Sequence, residues 1–328
     1  MLSAFRSFRS TLLRRREFLV GAIIALLVQT LRSDVLAGGT ASNAVRDDGD
    51  AALRLRAVRR WGCQYQNIDL AEIERSNLEL FVVDHALGEA GAIVATAASV
   101  QRLKHSLQGG RRLVLAYLSV GEAETYRTYW EEEWNSRPPP WVGKPNPNWP
   151  GAVGVRFWST PWKNLTYASA SSLLDRIIEA GFDGVFLDRV DAYVEWTAER
   201  PAAGLDMIAL VKELREKARE RDPRFLVVGQ NAEDLLMMIE YRNAIDGVAK
   251  ESLFYGLRAA GAANTAGDIA WSLSRLRVAK KSGLPVFAIE YLDDANAIAS
   301  AQEKLEAEGF VPFFANRALD RMPGTKRV

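Results

Sequence analysis

The chain is poor in the residues that build metal centres and covalent staples. Its 328 residues contain one cysteine, Cys63, and two histidines, His85 and His105. A single cysteine excludes an intramolecular disulfide. Neither histidine stands at ligand spacing from the other or from Cys63, so no metal and no cofactor is expected. His105 falls on a helical stretch and reads as a surface residue, whereas His85 follows a strand and could line a mouth. A surplus of one charge is also missing. Lys+Arg 42 against Asp+Glu 41 gives no field to gather a polyanion, so nucleic acid is not an expected partner. The nucleophile elbow G-x-S-x-G and both glycine-rich phosphate loops are absent, which removes triad hydrolases and nucleotide enzymes from consideration. No internal repeat is evident.

Long hydrophobic runs are lacking too, except near the start. Arg14-Arg15-Arg16-Glu17-Phe18-Leu19 precedes an apolar stretch that reaches Leu31, interrupted only by Gln29 and Thr30. That stretch is shorter than the roughly 20 residues a spanning helix needs. Residues 1–37 therefore read as a twin-arginine-like signal ending at the small residue Ala37, with export to the periplasm or the exterior and no stable membrane span after cleavage. An uncleaved anchor is the other reading. Residues 38–57 read as a linker, its first part rich in Gly, Ala, Ser, Asn and Asp, and residues 58–328 as one domain.

What is present is a regular alternation. Short apolar runs at Trp61–Gln66, Leu80–Asp84, Leu113–Ser119, Gly184–Asp188, Phe225–Gln230, Gly247–Lys250, Pro285–Glu290 and Phe310–Phe314 read as strands. Between them, Val100–Gln108, Ser171–Ala180, Leu205–Glu220, Glu233–Tyr241, Ile269–Lys281 and Asn296–Glu308 repeat apolar residues at three- and four-residue intervals, as amphipathic helices do. Continuous apolar strands alternating with such helices argue for a parallel sheet covered on its outer face. Eight of them fit a (β/α)8 TIM barrel, with a doubly wound open sheet as the rival. No helix follows the last strand, so Asp50–Arg60 completes the ring or it stays incomplete.

In a barrel, residues at the carboxyl ends of strands face the active-site mouth. Polar residues recur there: Ser119 and Glu122, Asp188, Gln230-Asn231, Lys250-Glu251, Glu290-Tyr291. With metal and nucleophile-triad chemistry set aside, paired carboxylates remain, which suits glycoside hydrolysis. Asp188 and Glu251, from the fourth and sixth strands, form the favoured pair. The bland alternative for each is a salt bridge. The segment from Trp130 to Trp162 holds Trp130, Trp134, Trp141, Trp149, Trp158 and Trp162, six of the nine tryptophans. Flat indoles suit sugar faces, and equally they pack a long loop onto a barrel.

The stretches LAYLSVGEAETYRTYW, NPNWPGAVGVRFWSTPW, GFDGVFLDRVDAY, VVGQNAEDLL, DGVAKESLFYG, EYLDD and GFVPFFANRALD together resemble glycoside hydrolase family 114, the endo-α-1,4-polygalactosaminidase group. The likeness runs in order from Trp61 to Asp320. It implies a metal-free barrel acting on an amino-sugar polysaccharide, with Asp188 as nucleophile and Glu251 as acid/base. Tyr117, Glu122, Tyr126, Asp191, Tyr193, Gln230, Asn231, Tyr255, Glu290 and Tyr291 match motif positions and would line the cleft. Tyr65, Trp149 and Trp158 complete the expected substrate contacts. Unacetylated galactosamine is cationic, so Glu122, Asp191 and Glu290 would pair with its ammonium groups, and crowding among carboxylates would help to keep Glu251 protonated. A monomer is expected. A non-catalytic polysaccharide-binding barrel and a hydrolase of another glycan are the alternatives.

Overall fold

A computed structural model describes residues 49–87, 93–94, 96–107 and 110–322. The expected signal, residues 1–37, and the first part of the linker lie outside the described residues.

Eight parallel strands form one sheet in sequence order. They are β1 (Trp61–Gln64), β2 (Leu80–Asp84), β3 (Leu113–Ser119), β4 (Gly184–Asp188), β5 (Leu226–Gln230), β6 (Gly247–Glu251), β7 (Val286–Glu290) and β8 (Val311–Phe314). Each expected strand is present within two residues of its expected ends. The main helices are α1 (Gly49–Ala57), α2 (Leu70–Arg75), α3 (Ala97–Lys104), α4 (Leu173–Glu179), α5 (Ala203–Arg221), α6 (Ile239–Ala244), α7 (Ala266–Lys281) and α8 (Ala295–Ala307). Side chains of Ser172, Thr265 and Asp294 accept backbone N–H groups at the starts of α4, α7 and α8, which fixes where each helix begins. This is a (β/α)8 barrel rather than a doubly wound sheet. Ladder bonds join β1 through β8, and at the seam side chains replace them: the Trp61 indole donates to the Val311 carbonyl at 2.9 Å and its ring packs on Phe313.

Side chains alternate across the sheet and divide the core in two. The inner cluster takes Cys63, Leu115, Tyr117, Phe186, Val228, Ala249, Phe287 and Ile289, and fills the barrel. Residues one position along, such as Val185, Leu187, Val227, Val248 and Ala288, belong to the outer cluster under the helices. Helix α1 occupies the last part of the expected linker. Its Ala52 and Leu55 are buried in the inner cluster, so the segment plugs the barrel floor. Of its two leucines Leu55 is buried and Leu53 exposed, so the segment expected either to complete the ring or to leave it open instead closes the floor.

Candidate active site

The alternation carries directly upward into the mouth. Two residues beyond Cys63 comes Tyr65, and in the same way Val82 leads to Asp84, Leu115 to Tyr117, Phe186 to Asp188, Val228 to Gln230, Ala249 to Glu251 and Ile289 to Tyr291. These inward positions form the uppermost layer of the barrel. Register places Gly229 opposite Leu187 and Gln230 opposite Ala249, so Glu251 stands one inward position higher than Asp188 with β5 between them.

The same local design delivers both acids. Phe182-Asp183-Gly184-Val185-Phe186-Leu187-Asp188 and Ile245-Asp246-Gly247-Val248-Ala249-Lys250-Glu251 share an apolar residue, Asp, Gly, Val and, four positions after the glycine, a carboxylate. At the foot of each strand the aspartate accepts a neighbouring strand's N–H: Asp183 from Val114 at 2.9 Å and Asp246 from Val227 at 2.9 Å. Cations hold both, Lys104 and Arg111 on Asp183, Arg219 and Arg215 on Asp246. At the top the chain turns through a left-handed residue directly behind each acid, Arg189 at φ 59° and Ser252 at φ 53°. Asn231 and Ala232, after Gln230, are also left-handed. Side chains with a Cβ adopt this conformation at a cost of about 1–2 kcal/mol each, and such strain concentrates at functional sites.

Among the described residues neither acid is consumed by a salt bridge. Asp188 Oδ2 accepts from the Tyr117 hydroxyl at 2.8 Å and Oδ1 from the Arg189 N–H at 2.8 Å. The Arg189 guanidinium turns instead to Glu122 at 2.9 Å, Asp191 at 3.4 Å and Glu195 at 2.5 Å. Glu251 accepts from the Tyr291 hydroxyl and, at 3.0 Å, from the Asn231 amide. Because Asn231 Oδ1 already accepts the Glu251 N–H at 3.1 Å, the amide nitrogen is the atom left to face the carboxylate. Lys250 points outward to Glu233 at 3.1 Å. Burial, and after it the charge of Glu251, push the Asp188 carboxyl up to about 7. The crowding expected to act on Glu251 thus shows itself at Asp188.

The other expected contacts divide into groups. Tyr65, Tyr117, Asp188, Gln230, Glu251 and Tyr291 share the inner layer, and Asn231 joins it through Glu251. Tyr193, Tyr255 and Trp158 go to the outer cluster. Tyr193 is buried against Gly204, Tyr255 faces Lys304 of α8, and Trp158 packs edge-on to Phe157 and Trp196. Glu290 is also turned outward: it is fully buried and accepts the N–H groups of Phe254 at 2.7 Å and Tyr255 at 3.2 Å, fastening the loop behind Glu251. It therefore has no ammonium-binding position, and the period-two rule applied to Ile289 would have said so. Glu122 and Asp191 are engaged with Arg189 rather than waiting unpaired.

Most of the tryptophan segment is packing. Trp130, Trp134 and Trp141 meet edge to face in succession, and Trp141 packs at a tilt on Trp162, which is fully buried. Trp149 and Tyr126 remain exposed, at 41% and 42%. They flank a three-stranded sheet of Glu122–Glu124, Val142–Pro145 and Ala152–Val155, whose Asn146 donates to Glu122 at 2.9 Å. His85 borders a small pocket lined also by Arg127, Tyr129 and Ile177, away from the acid pair. Its ring is bonded at 3.0 Å to the Tyr117 carbonyl, and burial lowers its pKa. Sequence reasoning missed Asp84, the inward residue topping β2, which takes both Arg127 terminal nitrogens at 2.7 and 2.8 Å while Glu124 takes Nε at 2.6 Å. The strand-end rule that found Asp188 applies equally to Asp84.

Comparison with known proteins places this geometry. The sequence profile of glycoside-hydrolase family GH114 matches residues 43–326. An uncharacterized protein of Deinococcus radiodurans is 34% identical over 271 residues, covering 82% of this chain and 83% of that protein. Another, from Methanocaldococcus jannaschii, is 32% identical over 279 residues, covering 80% and 77%. Among solved structures, the glycoside hydrolase domain of PelA from Pseudomonas aeruginosa superposes with a TM-score of 0.62 at 22% identity, covering 80% of this chain and 97% of that one. The Ega3 protein of Aspergillus fumigatus, solved in complex with galactosamine, gives 0.56 at 18%, covering 80% and 93%. These two share the fold. A family profile spanning the whole barrel, together with the two carboxylates over its mouth, makes the chain a glycoside hydrolase of family GH114.

Proposed function

We propose that the protein cleaves an α-linked, galactosamine-containing polysaccharide by a two-carboxylate mechanism, with Asp188 as nucleophile and Glu251 as acid/base. The observation that carries the reading is the pair itself. Two inward carboxylates on β4 and β6 are each gripped by a tyrosine hydroxyl, neither is paired with a cation, and the charge of one raises the pKa of the other. Glu251 protonates the glycosidic oxygen as the bond to the anomeric carbon breaks, and an Asp188 oxygen bonds that carbon. Glu251 then removes a proton from water, whose oxygen displaces Asp188 and restores both groups.

A cationic glycan suits the surroundings. Three carboxylates, Glu122, Asp191 and Glu195, share the single Arg189 guanidinium beside Asp188, which leaves the rim negative. The complex of the structurally similar Ega3 with galactosamine supports the same sugar class. Trp149 and Tyr126, exposed beside that rim, offer ring faces to further sugars. The N-terminal segment through Ala37 fits an enzyme that is exported to reach a polymer.

The test is incubation of the residue 38–328 protein with α-1,4-galactosamine polymer and, in parallel, acetylated and glucosamine polymers, reading released oligosaccharides. Asp188→Asn and Glu251→Gln should each lower kcat by about 10²–10⁴-fold while binding persists. Cleavage of another glycan alone would overturn the substrate assignment, and full activity in either variant would overturn the mechanism.

A further inference from the structure

In the layer that holds the acids, Tyr117 and Tyr291 spend their hydroxyls on Asp188 and Glu251. The third tyrosine does not. Tyr65 belongs to the same inner cluster, and its ring lies 4.5 Å from that of Tyr117. Its hydroxyl is buried from solvent, and among the described residues it has no oxygen or nitrogen partner, only the Cys63 sulfur beside it. Burial raises its pKa well above the usual tyrosine value, and the carboxylates of Asp188 and Glu251 add to the effect. Cys63, below it, is buried and offers only a weak sulfur acceptor.

The rest of the segment holds this hydroxyl still. The Tyr65 N–H donates to the Leu319 carbonyl across the barrel seam at 2.8 Å. The neighbouring Gln64 amide donates to the carbonyls of Gln66 and Asn67 at 2.9 Å each, bracing the turn that follows. A second group of the layer is in the same condition: Gln230, on the strand between the two acids, keeps a buried Oε1 with no partner. A native core leaves few such atoms, because each forfeits a hydrogen bond that it had in water. The condition recurs elsewhere among the described residues, at Trp196 Nε1 and Tyr241 Oη for example, but Tyr65 and Gln230 are set apart by standing in the layer that holds the acids.

Resting on the proposed carbohydrate reading, we infer that Tyr65 is a third catalytic residue. Its hydroxyl donates a hydrogen bond to a hydroxyl oxygen of the sugar held between Asp188 and Glu251, while Gln230 Oε1 accepts from the same ring. Neutral at working pH because burial and the acids raise its pKa, Tyr65 remains a donor throughout the reaction. A hydrogen bond fixed beforehand at the reacting ring favours the transition state more than the bound ground state, so its loss falls on kcat.

Tyr65→Phe keeps the ring stack and deletes only the oxygen. On α-1,4-galactosamine oligosaccharide, kcat should fall at least about tenfold with KM little changed, while the melting temperature stays level or rises because an unsatisfied buried hydroxyl has gone. A merely structural hydroxyl predicts the reverse, with kcat untouched. As a second measurement, tyrosine labelled at ring carbon Cζ should show the Tyr65 resonance move when the oligosaccharide is added to Asp188→Asn. Wild-type kcat in Tyr65→Phe, or an unmoved resonance, overturns the inference. If Tyr65→Phe is normal while Asp188→Asn is dead, only Tyr65 is wrong; if Asp188→Asn is fully active, the underlying mechanism is wrong.

Discussion

The Tyr117 hydroxyl donates to Asp188 Oδ2 at 2.8 Å, from one barrel strand to the next. That bond favours the ionised carboxylate and opposes the burial that brings Asp188 up to about 7. A nucleophile must be ionised, so the limb of kcat/KM near pH 7 should be a rising one, with the fall on the alkaline side set by loss of the acid's proton. Tyr117→Phe removes a donor to the charged form and should move this limb to higher pH by about one unit. A pH–rate profile of both proteins checks it. Should the rate fall rather than rise through this value, Asp188 is the acid and the two roles exchange.

Gly121 is packed against the turn behind Asp188. A Cβ there would lie 2.3 Å from the Arg189 carbonyl oxygen and 2.4 Å from Ala192 Cβ. Neither neighbour can yield without moving the backbone next to Asp188. Gly121→Ala should therefore lower stability by about 1–3 kcal/mol and reduce kcat more than it raises KM. Urea denaturation and steady-state kinetics on the same preparation would separate the two effects, and a normal kcat would show that the turn does not position the nucleophile.

Glu290 ties the loop after β6 by accepting two N–H groups, one on each carboxylate oxygen. Glu290→Gln turns an amide N–H toward one of those donors, and stability should drop by about 1–3 kcal/mol. Because the side chain faces outward, KM for a cationic glycan should stay at its wild-type value. A raised KM with stability unchanged would restore Glu290 to the substrate cleft.

Trp149, 41% exposed, contributes little to the folded core. Trp149→Ala should alter stability by less than about 0.5 kcal/mol, yet weaken binding of long polymer by about three- to tenfold. Short oligosaccharides that reach only the acid pair should be cleaved as before. Comparing KM across chain lengths tests this, and equal effects at every length would remove Trp149 from the polymer path.

The barrel was legible because it follows from periodicity, and so was the place of Asp188 and Glu251 at the ends of two of its strands. Apolar runs at Val185–Leu187 and Val248–Ala249 name their own strands, and a carboxylate at an inward position at the end of such a run faces the mouth, as the outward Glu290 does not. The sequence alone also excluded a disulfide and any triad or phosphate loop. Tertiary structure decided everything that depends on who else arrives. It sent Glu290 and Tyr255 outward, Tyr193 and Trp158 into the helix layer, and most tryptophans into packing. It gave Arg189 to Glu122, Asp191 and Glu195, and it used part of the expected linker to plug the floor. Strand order and side-chain parity are local properties that one segment can encode, whereas the burial, partner and pKa of a side chain belong to the four or five segments that meet around it.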